Sequence, residues 1–192
     1  ALGKPMVVVL EGGSVIDMPW LEEVPAVLMA WYPGMAGGKA IGQLLFGQVS
    51  PSGRLPISWP AAWNDAPVFN PGRIIDHSYF AGYRYYEQQN KKVLFPFGYG
   101  LSYSTFEHLN LEMPCSAVVS DGMAPVSVDI SNRGETQADE VVFLFTSYPD
   151  SSNEKLRIKQ LKGFYRVSLM PGQTKRVTMP LRIEDLKYFD MA

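Results

Sequence analysis

The acid–base chemistry open to this chain rests on scattered carboxylates and two histidines. Glu11 closes the apolar run that begins at Pro5, at the kind of strand end where open α/β sheets place ligands. Asp17, Asp65, Asp76 and Glu87 fall in loop or connector sequence, and nothing in their spacing pairs any two of them as acid and base. His77 sits in Ile75-Asp76-His77-Ser78-Tyr79, a polar and aromatic stretch suited to a cleft wall. Glu11, His77 and Tyr79 are therefore the candidate substrate-binding residues, although a surface histidine is the commoner reading of His77. His108 lies beside a change of texture and reads as structural. Neither histidine has a Cys or second His at metal-ligand spacing, so neither a metal nor a cofactor is expected. Gly12-Gly13-Ser14-Val15-Ile16 and Gly100-Leu101-Ser102-Tyr103-Ser104 both lack the closing glycine of a nucleophile elbow. Gly34-Met35-Ala36-Gly37-Gly38-Lys39-Ala40 fails as a phosphate loop, because Pro33 stands at the first glycine position and Ala40 removes the magnesium-binding hydroxyl.

Composition narrows the function class. Of 192 residues, 46% are hydrophobic and 19% charged, enough apolar surface for a core and too little charge for a disordered chain. A net charge of -2 argues against nucleic acid as a partner, since binding phosphates requires a basic face. Lys155 to Lys162 alternates basic with apolar residues as a solvated edge strand would. The lone Cys115 cannot make an intramolecular disulfide. The apolar run Met6 to Leu10 is far short of the roughly 20 residues that span a bilayer, so no membrane partner is expected.

The elements that would position these residues change character along the chain. Pro5 to Leu10 and Ala26 to Tyr32 read as buried parallel strands, with a short helix across Met18 to Glu23 and a second across Gly37 to Phe46. Two such strands cannot complete a doubly wound sheet, and the abrupt start leads us to expect further sequence upstream. Ser50 to Asn90 reads as a wrapping connector with short strands at Leu55 to Ser58 and Tyr83 to Tyr86. Beyond residue 108, alternation predicts strands around Val126 to Ser131, Val141 to Ser147, Gln160 to Val167 and Lys175 to Leu181. About five strands can be counted, which predicts an antiparallel sandwich that is also incomplete at its C-terminal end. Between the two textures, Val93 to Phe106 concentrates five aromatic rings around Pro96, Gly98 and Gly100, as a packed joint would.

The joint, Leu94-Phe95-Pro96-Phe97-Gly98-Tyr99-Gly100-Leu101-Ser102-Tyr103-Ser104-Thr105-Phe106, closely resembles the domain junction of glycoside hydrolase family 3, the β-glucosidase family. Lys4 to Leu10, Met18-Pro19-Trp20-Leu21, Ala30-Trp31-Tyr32-Pro33-Gly34, Leu45-Phe46-Gly47 and Ser50 to Pro56 follow the order of that family's C-terminal α/β sandwich, and Gly82-Tyr83-Arg84-Tyr85-Tyr86 its approach to the junction. Ser131-Asn132-Arg133-Gly134, Gln160-Leu161-Lys162-Gly163-Phe164 and Leu169-Met170-Pro171-Gly172 look like its fibronectin type III-like domain. The resemblance implies α/β plus all-β architecture: part of an α/β sandwich over 1–60, a connector and junction over 61–108, and an incomplete fibronectin type III-like sandwich over 109–192. It further implies a retaining exo-β-glycosidase acting on terminal β-D-glucosyl or related residues, with a β-linked oligosaccharide or glycoside as substrate. Such chemistry needs two carboxyl groups roughly 5 to 5.5 Å apart. In this family the nucleophilic aspartate lies on an N-terminal barrel and the acid/base glutamate precedes the strand at Met6 to Leu10. Both are expected upstream of residue 1, so no catalytic residue is assigned here and Glu11 is not promoted to the role.

The resemblance makes an upstream barrel, in the same or a partner chain, the expected protein partner, and its habit is periplasmic or secreted. Two other readings compete. A non-catalytic carbohydrate-binding or interaction module could use the open tryptophans of the Pro-rich connector, Trp59 and Trp63, while Trp20 and Trp31 read as core. Alternatively, the chain is one part of a split glycosidase whose second chain supplies the barrel.

Overall fold

A computed structural model describes residues 3–4, 6–68, 72, 78–114 and 122–187. Strand β1 (Val7–Glu11) and strand β2 (Ala26–Trp31) pair in parallel, Val7 against Ala26 through Leu10 against Met29. Their continuous apolar, β-branched sequence suits a strand with neighbours on both faces. A register shift between Leu10 and Glu11 then sets Glu11 opposite Trp31. Helix α1 (Gly37–Leu45) follows, turning Ile41 and Leu44 partly inward, and stops before Gly47, whose φ is 70°.

The connector differs from expectation at three points. Met18 to Glu23 forms only a single 3-10 turn, Leu21–Glu23. Leu55 to Ser58 is irregular backbone, and the strand lies just beyond it as β3 (Trp59–Pro60), antiparallel to β4 (Val93–Phe95). Leu55 nevertheless bonds like a strand residue: its N–H donates to the Tyr99 carbonyl and its carbonyl accepts from the Gly98 N–H, both at 2.8 Å. Tyr83 to Tyr86 is helical, within α2 (Tyr83–Gln88). The β preference of three tyrosines yields there to tertiary contacts, because the Tyr83 ring packs on Phe97 and its hydroxyl accepts from the Leu161 N–H at 2.9 Å.

The second half is antiparallel. Strands β5 (Phe106–Glu112), β6 (Met123–Asn132) and β9 (Thr174–Arg182) form one sheet in the order β5-β6-β9, while β7 (Ala138–Thr146) pairs with β8 (Gln160–Leu169). Val128 and Ile130 of β6, Val142 of β7, Val167 and Leu169 of β8, and Val177 and Met179 of β9 share one buried cluster. The predicted alternation is thereby realised, apolar residues toward the core and polar ones outward. Lys155 to Arg157, expected as an edge strand, belongs instead to the helical turn α3 (Glu154–Arg157), because the Asn153 side chain caps it by accepting from the Lys155 N–H at 3.0 Å. Cys115 and Asp76 lie outside the described residues.

Candidate functional site

Glu11 ends β1 on the exposed edge of the parallel pair, and no hydrogen bond or ion pair engages its carboxylate among the described residues. Opposite it, Trp31 adopts φ of 54°, a left-handed conformation uncommon for a bulky residue, and its carbonyl accepts from the Gly12 N–H at 3.1 Å. Tyr79 lies elsewhere in the contact network. Its ring stacks under the Arg84 guanidinium at 4.6 Å, faces the Lys155 ammonium at 5.4 Å and meets Phe80 edge-on. The ring thus contacts one cation from α2 and one from α3. Among the described residues no hydrogen bond, ion pair or ring contact joins Glu11 to Tyr79. His77 lies outside the described residues. His108 is an exposed residue of β5, opposite Ile130.

The tryptophans divide differently from expectation. Trp59 is only 3% exposed, with its indole N–H donating to the Ile16 carbonyl at 3.0 Å, which corrects its reading as an open stacking platform. Trp59 lies in β3, opposite Phe95 of β4. Trp63 is exposed, and Trp20 and Trp31 are half-buried.

The most elaborate arrangement of side chains is the joint. Phe97 packs on Tyr83, Phe143 and Phe145, with ring centroids 5.2, 5.5 and 6.3 Å away, so hinge, helix α2 and strand β7 share one aromatic cluster. Gly98, at φ of 83°, turns the chain directly against Phe143, where a Cβ would come within 3.1 Å of the ring. Beside the rings, the Arg54 guanidinium donates to Glu140 at 2.6 Å, and the two side chains are 10% and 9% exposed. Arg166 reaches across to the Ser52 hydroxyl at 2.8 Å, and the Tyr103 hydroxyl donates to the Leu44 carbonyl at 2.8 Å. Sequence reasoning missed Arg54 and Glu140. The available signal was an arginine inside the turn sequence Ser52-Gly53-Arg54-Leu55-Pro56, and a glutamate at an inward position of an apolar strand.

The Asp139 carboxyl is held below its ordinary value by a hydrogen bond from Ser168 and by the charge and hydrogen bond of Arg166, the opposite of what proton donation near neutrality needs. Among the described residues no group of three His, Cys, Asp or Glu could hold a metal ion, and no helix is long and apolar enough to cross a membrane.

Comparison with known proteins places this joint in context. Residues 1–103 match the model of the glycosyl hydrolase family 3 C-terminal domain, and residues 140–192 that of a fibronectin type III-like domain. A β-glucosidase of Bacteroides ovatus is 36% identical over 98% of this chain and 26% of its own length. A periplasmic β-glucosidase of Salmonella typhimurium is 36% identical over 99% of this chain and 26% of its own length. The crystal structure of a β-glucosidase from Kluyveromyces marxianus in complex with glucose superposes with a TM-score of 0.84 at 39% identity, covering 96% of this chain and 23% of that one. The chain thus spans about a quarter of the length of the curated relatives it matches. With the α/β fragment, the aromatic joint and the antiparallel sheets in the family's order, the chain belongs to glycoside hydrolase family 3, in its C-terminal region.

Proposed function

We infer that this chain is the C-terminal portion of a retaining exo-β-glycosidase that releases terminal β-D-glucosyl or related residues. The observation that carries the reading is similarity to the corresponding quarter of β-glucosidases over nearly all of this chain, across both the α/β and the β parts. In this reading the α/β fragment over 1–60 belongs to the domain that presents the acid/base to a barrel. The junction over 61–108 and the sandwich over 109–192 hold that domain at a fixed orientation. The two catalytic carboxylates belong to sequence upstream of residue 1. Retention then requires one carboxylate to attack the anomeric carbon while the other protonates the departing oxygen, and the second later deprotonates the incoming water. The protein partner is the barrel, and the compartment is the periplasm or the exterior, as the named periplasmic relative suggests.

An aryl β-D-glucoside tests the reading in two parts. The 192-residue chain alone is expected to release no aryl alcohol, whereas the complete protein carrying it is expected to release glucose first observed as the β-anomer by NMR. Hydrolysis by the chain alone that Glu11→Gln abolishes would overturn the placement of the catalytic groups. Release of α-glucose first by the complete protein would overturn retention.

A further inference from the structure

Two stretches of this chain carry no charge, Ala40 to Gly53 and Val93 to Phe106, although 19% of its residues are charged. The fold brings them together. The Tyr103 hydroxyl donates to the Leu44 carbonyl at 2.8 Å, the Tyr103 N–H donates to the Ser50 hydroxyl at 3.0 Å, and the Ser50 and Ser102 hydroxyls share a hydrogen bond of 2.9 Å. These bonds fasten the end of α1 to the joint. Around them the surface is apolar: Phe46 is 84% exposed, Leu101 73% and Tyr103 50%, with Leu45 and Val49 exposed beside them. The pattern of α1 points the same way. It turns Ile41 and Leu44 partly inward, yet the residues that close it, Leu45 and Phe46, are exposed where a solvated helix carries polar side chains.

A group of exposed apolar side chains with no charge among them is costly in water, and such patches mark surfaces that another body covers. Loss of charged residues together with aromatic enrichment is the composition found at the centre of a protein–protein contact. A sugar-binding face would need free donors and acceptors beside its rings, whereas the hydroxyls of Ser50, Ser102 and Tyr103 are already bonded within the chain. The same bonds hold the patch in one shape before anything docks, which lowers the entropic cost of contact. We propose that Leu45, Phe46, Val49, Leu101 and Tyr103 form the face on which the upstream, catalytic part of the complete protein docks, an inference that rests on the glycosidase reading for the identity of that part. This chain matches only 26% of the length of its curated relatives, so most of such a protein lies outside it. The face lies where α1 meets the joint, so a body seated on it touches both the α/β fragment and the link to the antiparallel sheets.

Hydroxyl-radical footprinting of the 192-residue chain and of the complete protein, both held at concentrations where light scattering shows monomers, tests the proposal without reference to activity. Phe46, Leu101 and Tyr103 are expected to oxidise readily in the chain alone and to lose most of that oxidation in the complete protein. Photo-cross-linking from p-benzoyl-phenylalanine in place of Phe46 then identifies the occupant, with adducts expected on peptides upstream of residue 1 in the same molecule. Equal oxidation of the three side chains in both proteins would overturn the proposal, as would adducts only with a second copy or only within residues 1–192. Hydrolysis of an aryl β-D-glucoside is scored separately. An active complete protein with an oxidised patch removes the docking face and leaves the glycosidase reading intact, whereas a protected patch in an inactive complete protein does the reverse.

Discussion

Arg54 and Glu140 are separated by 86 positions in sequence and meet in a space where each keeps about a tenth of its side-chain surface. Removing water from both charges is costly, and the pair is favourable only while each has the other. The geometry is tight on the arginine side as well: Nη1 is buried without a partner, and Gly100 approaches so closely that a Cβ there would lie 2.4 Å from the Gly53 carbonyl oxygen. Truncating one partner therefore strands a charge. Arg54→Met is expected to cost about 3 kcal/mol, the low end for a buried pair, because both side chains retain some exposure. Arg54→Met with Glu140→Leu should regain more than half of that loss, since no charge then remains to be solvated. Urea unfolding of the wild type, both single variants and the double variant measures the coupling, and a double variant as unstable as the two single losses added together would refute a charge-pair origin.

Between elements, the corresponding keystone is Asn132, at the end of β6 and 0% exposed. Its side-chain carbonyl accepts from the Ser104 hydroxyl and from the Gly134 N–H at 3.0 Å, and its amide donates to the carbonyls of Thr136 at 2.9 Å and Leu169 at 3.1 Å. Its backbone joins the β8–β9 turn through Gln173 and Gly172. One residue, through side chain and backbone, thus ties the hinge to two turns and to the end of β8. Asn132→Ala is expected to destabilise by about 2–4 kcal/mol, since several buried partners are left unsatisfied, and Asn132→Asp by a similar amount because it loses both donors. Thermal unfolding followed by circular dichroism checks both, and losses below about 1 kcal/mol would show that water replaces the side chain. The sequence displayed Asn132-Arg133-Gly134-Glu135 as the link between two strands, which it is, but the partners of the Asn132 side chain lie up to 37 residues away and leave no local signal. Strand β6 was legible because its alternation is unbroken. Strand β5 was not, because the register shift between Leu109 and Glu112 and the left-handed Asn110 interrupt its period of two.

Across the molecule, the aromatic joint acts as a shared core and not as a loose linker. Its density of rings and glycines was visible in sequence, and so was the family it indicates. The partners of those rings were not visible, because Phe143 and Phe145 lie in a strand some 50 residues downstream and read simply as apolar. Glu11 and Tyr79 were likewise chosen by local context, which holds no trace of the Arg84 and Lys155 cations beside the Tyr79 ring. A core common to both parts has a thermodynamic consequence. Where contacts between two units are large and apolar, unfolding one exposes the surface of the other and the units melt together. Phe97 sits at the centre of that contact, touching α2 through Tyr83 and β7 through Phe143 and Phe145. The wild-type chain is therefore expected to unfold in one calorimetric transition, with calorimetric and van't Hoff enthalpies in agreement. Phe97→Ala should cost about 2–4 kcal/mol, discounted from the value for a fully buried ring, and should separate the antiparallel sheets from the α/β part into two transitions. The sheets should retain the higher melting temperature because their buried cluster over β6 to β9 does not include Phe97. A single transition that merely shifts downward in Phe97→Ala would mean that Arg54–Glu140 and the polar contacts beside it suffice to couple the two parts without the ring.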